Sequence, residues 1–199
     1  MTKKIVLASN NSHKIKEFKN ILMDVDVELI PQRQLDIKEI DETGLSFVEN
    51  AILKARNASK LSGLPAISDD SGIEVDILSG RPGIYSARFA GKECNDKLNN
   101  NFLLEELNNI PIEKRKARYQ CVIVYMLRYD HPSPKIFSSS WDGVISHKES
   151  GNNGFGYDSL FFLPELNCTA AELTEGQKNS ISHRGKALGL FKKDLMFLL

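Results

Sequence analysis

Residues Arg118 to Arg128 carry the strongest strand signal in the chain: Tyr119, Cys121, Ile123, Tyr125 and Leu127 alternate with Gln120, Val122, Val124 and Met126. Both alternating sets are largely apolar, so neither face suits water. Such a strand belongs in the middle of a sheet covered on both sides. A second continuous aliphatic run, Lys4-Ile5-Val6-Leu7-Ala8, reads the same way, as a buried first strand. A polar turn, Ser9 to Lys14, follows it. A helix is then predicted from about Ser12 to Leu22, with Ile15, Phe18, Ile21 and Leu22 on one face.

The rest of the chain continues this alternation of strand and helix. Val25 to Ile30 reads as a second strand closed by Pro31, and Asp36 to Gly44 as an acidic loop. Ser46-Phe47-Val48-Glu49 fits a capping box. The helix it opens runs to about Leu61, with Ala51, Ala55, Ala58 and Leu61 as a small-residue packing face. Pro65 to Gly72 opens like a buried strand and ends in two acids, a hydroxyl and a glycine that turns the chain, after which Ile73 to Ile77 can resume as a strand. A helix is expected over Asn95 to Leu107, with Leu98, Phe102, Leu103 and Leu107 inward. Lys135 to Ser146 returns as an antiparallel partner for the central strand, with a bulge or bend at Asp142-Gly143. A Gly/Asn-rich loop, Gly151 to Asp158, leads into a short strand at Ser159 to Phe162. Thr174 to Gln177 fits a second capping box, and Ser182 to Gly185 opens a closing helix with Ala187, Leu188, Leu190, Phe191, Leu195 and Leu198 inward. With no repeat, low-complexity tract or long linker, residues 1–199 read as a single domain of two lobes. The fold class is α/β: a long twisted mixed sheet with flanking helices.

Composition enters where it excludes. Lys plus Arg and Asp plus Glu both number 26, so the formal net charge is zero and the basic excess usual in a nucleic-acid binder is absent. The apolar run after Lys3 and Lys4 is too short for a signal peptide or a membrane span. Three widely spaced cysteines, Cys94, Cys121 and Cys168, form no CxxC. They read as reduced thiols of a cytoplasmic protein, without a disulfide framework or a zinc site, and Cys121 as core.

Four polar clusters sit at strand ends and helix starts. Ser9-Asn10-Asn11 with Lys14 is a triphosphate cradle or an ordinary polar turn. Asp41-Glu42 either ligates Mg²⁺ through oxygen or is solvated. Asp69 and Asp70 should point to opposite faces of their strand, so that one can face a ligand while the other braces the scaffold, or the stretch is an ordinary surface Asp-Ser-Gly turn; Asp70 with Ser71 is the third cluster. The fourth cluster is Phe155-Gly156-Tyr157-Asp158 with Lys178 and His183-Arg184. Its aromatics suit a stacked heterocycle and its cations a purine carbonyl or phosphate, although Phe155 and Tyr157 also suit a core. Acids for metal, bases for phosphate and aromatics for a ring argue jointly for a nucleotide site. There is no Walker A motif and no dinucleotide fingerprint.

These stretches, in this order, resemble the inosine/xanthosine triphosphate pyrophosphatase family across essentially the whole chain. Ser9-Asn10-Asn11-Ser12-His13-Lys14 is similar to its phosphate loop, and Glu42-Thr43-Gly44 with Phe47, Glu49-Asn50-Ala51 and Lys54-Ala55 to its metal-bearing loop and helix. Asp69-Asp70-Ser71-Gly72 and Pro82-Gly83-Ile84-Tyr85-Ser86-Ala87-Arg88 resemble its most specific stretch. Gly154 to Asp158, Lys178 and Ser182-His183-Arg184-Gly185 resemble its base-reading elements. Asn10 stands where a glycine is usual, Asn152-Asn153 replace smaller residues, and Asp41 stands where many members have Glu.

The resemblance implies Mg²⁺-dependent hydrolysis of ITP, dITP or XTP between the α and β phosphates, giving the monophosphate and pyrophosphate. It also implies a homodimer, with nucleotide in a cleft between the lobes. Metal would be held by Glu42 and Asp70, with Asp41 as a further candidate, and Asp70 would be the general base. Ser9, Asn10, Asn11, Ser12, His13, Lys14, Lys54 and Ser71 would hold the triphosphate. Phe155, Gly156, Tyr157, Asp158, Lys178, His183 and Arg184 would take the base, His183 or Arg184 donating to O6. Two alternatives stand beside this expectation: a pyrophosphatase for another modified nucleotide, and a nucleotide sensor without turnover.

Overall fold

The computed structural model describes residues 2–92 and 95–195; Cys94 and Leu198, both read above, lie outside them. Seven strands hydrogen-bond in the order β2-β1-β3-β4-β5-β6-β7. They are β1 (Lys3–Leu7), β2 (Val27–Pro31), β3 (Ala66–Val75), β4 (Lys116–Met126), β5 (Lys135–Ile145), β6 (Phe161–Leu163) and β7 (Cys168–Thr169). Strand β1 is parallel to both β2 and β3, whereas β5–β6 and β6–β7 are antiparallel, so the sheet is mixed. The helices are α1 (Ser12–Ile21), α2 (Phe47–Ser62), α3 (Asp96–Glu106), α4 (Glu175–Ile181) and α5 (His183–Leu195).

The chain divides into two units. The first comprises Met1–Asp70, Cys121–Ser139 and Arg184–Leu199, the second Ser71–Gln120 and Ser140–His183. The core of the first unit gathers Ile5, Leu7, Phe18, Ile67, Ile123 and Phe191, all without exposed surface. Burying each such side chain stabilises by about 1.5–3 kcal/mol. Helix α2 packs its small face, Ala51, Ala55 and Ala58, with no exposure. The second unit has its own core, built around Ile73, Leu103, Tyr119, Trp141, Tyr157 and Phe161.

Local chemistry explains most boundaries. Asn11 caps α1 by accepting from the Lys14 N–H at 3.0 Å, and Ser46 caps α2 by accepting from Glu49. At α4 the capping box is complete: Thr174 Oγ1 accepts from Gln177 N–H, and Gln177 Oε1 from Thr174 N–H.

Five expectations are corrected. Strand β3 does not turn at Gly72 but runs on to Val75. Both acids within it are buried against cations, so the strand has no need to surface there. Leu98 of α3 is 45% exposed, and Asn99 and Asn100 face inward instead. The reason is polar anchoring: Asn99 accepts from the Ala90 N–H at 2.8 Å and donates to the Ala87 carbonyl at 3.0 Å. Leu61 and Leu190 are also exposed, at the margins of the apolar faces assigned to them. Strand β5 passes through Asp142-Gly143 unbroken. Gly143 is there because the Phe161 ring leaves no room: a Cβ would lie 2.7 Å from its Cζ.

Candidate functional site

In the first unit, the two adjacent acids of β3 lie in different charge environments. Asp69 is 1% exposed. Its carboxylate is ion-paired to Lys14 of α1, accepts from Arg184 Nε at 3.1 Å and accepts from the Cys121 thiol at 3.3 Å. Arg184, at the start of α5 and equally buried, also donates through Nη1 to Glu17 Oε2 at 2.5 Å. Burial alone would raise the Asp69 pKa, but Arg184, Lys14 and Lys54 outweigh it and hold the carboxyl well below the usual carboxylate range. Burial and the Asp69 charge push the Cys121 thiol up, so it is an inert core cysteine.

Asp70 meets one acid, Glu42, and a directly bonded cation, Lys54, with the charge of Lys14 acting from further off. Lys54 Nζ, on α2, lies 2.7 Å from Asp70 Oδ1 and 2.7 Å from Glu42 Oε1. Burial, with help from the Glu42 charge, prevails over the Lys54 ammonium and pushes Asp70 up to about 6. Lys54 moves up too: burial opposes its charge, but Asp70 and Glu42 more than offset it. Helix α2 is tied to β3 by the Ser68 hydroxyl, which donates to the Ala51 carbonyl at 2.6 Å. Asp41 is exposed and stands outside the Lys54 pairing. Ahead of α1, Asn10 and Asn11 are exposed and Ser9 is half-buried, with Ser9 Oγ accepting from the Asn11 N–H at 3.3 Å; Ser12 and His13, in the first turn of α1, are exposed. Among the described residues no group of three or more His, Cys, Asp or Glu side chains could hold a metal by itself.

In the second unit, Asp158 is the organiser. It is 3% exposed and accepts from the Phe155 N–H at 3.0 Å, Lys178 Nζ at 2.6 Å and the Tyr119 hydroxyl at 3.2 Å. Lys178 also stands 4.8 Å over the Phe155 ring, a cation–π contact. Gly154 adopts φ +77, and a Cβ there would run into the Asp158 carboxylate, so the loop needs glycine at this point. The Gly156 N–H donates to Asp96 at 2.7 Å. Tyr157 is a core aromatic whose hydroxyl donates to the Ser86 carbonyl at 2.7 Å, and burial pushes its pKa up. His183 stacks on Tyr119 at 4.6 Å and 6°. A concavity of about 250 Å³, lined by Asp96, Asn100, Glu149, Phe155 and Asp158 among others, borders this loop. Ser71, half-buried, follows Asp70 along β3.

Lys14, Asp69 and Arg184 thus come together in the first unit, as do Glu42, Lys54 and Asp70. Phe155, Asp158 and Lys178 come together in the second. Sequence reasoning missed Glu17, Tyr119 and Asp96. The position of Glu17, one helical turn after Lys14, was a usable signal, and the alternation of β4 already set Tyr119 and Cys121 on one face.

A model of the Ham1 family matches residues 5–194. A dITP/XTP pyrophosphatase of Photorhabdus laumondii is 51% identical over 185 residues, covering 93% of this chain and 94% of that protein. A HAM1 protein from Coxiella burnetii has the same fold at a TM-score of 0.91 and 44% identity, covering 98% of each chain. The Staphylococcus aureus Ham1 protein gives 0.87 and 41%, covering 99% of this chain and 100% of its own.

Proposed function

The chain belongs to the Ham1 family, and from that premise we propose that it is a dITP/XTP pyrophosphatase. It hydrolyses deaminated purine nucleoside triphosphates to the monophosphate and pyrophosphate, and so clears them from the nucleotide pool. At the level of atoms, one observation carries the reading: Glu42 and Asp70 each place a carboxylate oxygen 2.7 Å from the same cationic nitrogen.

That donor set suits Mg²⁺, which is commonly bound by one or two carboxylates and completes its shell with water and substrate phosphates. We assign Glu42 and Asp70 to it, and Asp41, exposed beside Glu42 in the chain, at most to its water shell. When bound, Mg²⁺ supplies Lewis acidity and charge neutralisation at phosphate oxygens. Asp70 is the proposed general base: a carboxylate beside a bound cation can both orient a water and take its proton. Lys14 and Lys54 are the proposed phosphate clamps, stabilising negative charge as it develops. The Ser9 to His13 turn and Ser71 supply short polar donors for the same phosphates.

Base reading is assigned to the second unit, with Phe155 as stacking surface and Lys178 and His183 as donors. A 6-keto purine presents an acceptor where adenine presents an amine, so adenine would leave these donors poorly paired at about 1–3 kcal/mol per group. Arg184 is better assigned to holding Asp69, since its Nε and Nη1 already donate to Asp69 and Glu17. We further assign the enzyme to the cytoplasm, which the free thiols of Cys121 and Cys168 suit, and to a homodimer, as the family resemblance implies. No helix among the described residues is long and apolar enough to cross a membrane.

The test is pyrophosphate release with Mg²⁺ from ITP, dITP, XTP, ATP and GTP, and again after chelation. Rates on the three deaminated substrates should exceed those on ATP by roughly tenfold or more, and chelation should abolish them. Comparable rates on ATP would overturn the selectivity, and no release from any substrate would favour a sensor.

A further inference from the structure

Glu42 lies in an irregular segment; Lys54 holds its carboxylate beside Asp70, and something must also fix the backbone that carries it. Asn50 is the residue placed to do so. It sits on the first turns of α2, one turn ahead of Lys54, and is fully buried. Its Oδ1 accepts from the Gly44 N–H at 2.8 Å, two residues from Glu42. The next residues are tied to the same turn: Glu49 Oε2 accepts from the Leu45 N–H at 2.9 Å and from the Ser46 hydroxyl at 2.7 Å. The approach is too close for any side chain at Gly44, since a Cβ would lie 2.7 Å from Asn50 Oδ1 and 2.6 Å from Glu49 Cβ. Of these anchors only the one from Asn50 is shut away from water; Glu49 is exposed, and an exposed hydrogen bond competes with solvent. Asn50 Nδ2, meanwhile, has no hydrogen-bond partner among the described residues. A buried donor left unpaired weakens the fold, so stability alone does not account for an amide here.

We propose that Asn50 is a positioning residue for the carboxylate pair: by holding the Gly44 N–H it sets where Glu42 stands relative to Asp70, and thereby how tightly the pair takes a divalent cation. The proposal rests on the reading of Glu42 and Asp70 given above. Asn50 touches neither substrate nor cation. Removing its acceptor frees the Glu42 segment while leaving Glu42, Lys54 and Asp70 in place, so the loss should fall on metal affinity and not on recognition of the base.

The experiment compares the wild-type protein with Asn50→Leu, which removes the acceptor at similar volume, and with Gly44→Ala, which breaks the same link from the other side. Mn²⁺ binding is read from the spin resonance of the free ion, and hydrogen exchange is read at the Gly44 amide. The half-saturating Mg²⁺ concentration and the KM for ITP are then measured separately. Both variants should bind Mn²⁺ about 10–100-fold more weakly, as supporting residues around metal ligands do. Their Mg²⁺ requirement should rise in parallel, the KM for ITP at saturating Mg²⁺ should stay within about twofold, and the Gly44 amide of Asn50→Leu should exchange faster. Wild-type Mn²⁺ affinity in either folded variant overturns the proposal, as does an equal rise in KM and Mg²⁺ requirement. A wild-type protein that binds Mn²⁺ but hydrolyses none of the nucleotides overturns the functional reading instead, while the Mn²⁺ comparison still judges Asn50.

Discussion

Asp69 and Asp70 are neighbours with opposite tasks, and charge environment alone separates them. Asp70, with Lys54 and Glu42 beside it, is the proposed general base. Changing it to Asn should leave a folded protein with turnover reduced by about 10²–10⁴-fold; near-normal pyrophosphate release would place the base elsewhere. Asp69 neutralises Lys14 and Arg184 in the interior. Asp69→Asn removes the carboxylate that both cations share and should cost about 3–5 kcal/mol of stability. The pH dependence has a definite sign. A folded-state pKa below the unfolded one gives a stabilisation that is complete above the unfolded value, about 3.9, and lost as pH falls through the folded value. The gap in urea midpoint between wild type and Asp69→Asn should therefore hold constant from about pH 7 to pH 5 and narrow below about pH 4. A gap that does not narrow, or none at neutral pH, would contradict this account.

Among the elements, the loop from Gly151 to Gly156 shows how a backbone can set a side chain. Gly154 leaves the space that the Asp158 carboxylate occupies, and Asp158 in turn holds Lys178 above the Phe155 ring. Gly154→Ala meets both a positive φ and a collision, a strain of about 1–3 kcal/mol. The expected outcome is a raised KM for ITP with a smaller change in kcat, measured by steady-state pyrophosphate release; an unchanged KM would detach this loop from base binding. Element by element, what was legible in the sequence was what depends on short spacing. Asn11, Ser46 and Thr174 announce their helices because a cap acts over three residues. Ile5, Val6 and Leu7 announce a covered strand because a continuous aliphatic run has no solvent face to offer. Strand after Gly72 was read from Ile73 onward, but the unbroken passage of β3 through Gly72 was not legible, because glycine marks a turn unless pairing partners hold it extended. Nor was the inward turn of Asn99 and Asn100, which follows from backbone groups of Ala87 and Ala90 that no periodicity reveals.

For the whole molecule, family resemblance nominated candidate site residues but did not sort them by partner. Asp69 and Arg184 are 115 positions apart, and Glu17 and Arg184 are 167 apart. Only the fold brings such residues within reach, and it shows the arginine expected at the base donating to Asp69 and Glu17. The same wide separation bears on how the protein is made. The chain crosses between its two units four times, at Asp70–Ser71, Gln120–Cys121, Ser139–Ser140 and His183–Arg184. The first three crossings lie within β3, β4 and β5. Neither unit is therefore a continuous stretch that a ribosome could finish and release to fold alone. Asp69 is translated early, and its arginine arrives only after the entire second unit has been synthesised. Until then Asp69 can find Lys14 but not its second cation, which arrives with α5, the last helix of the first unit.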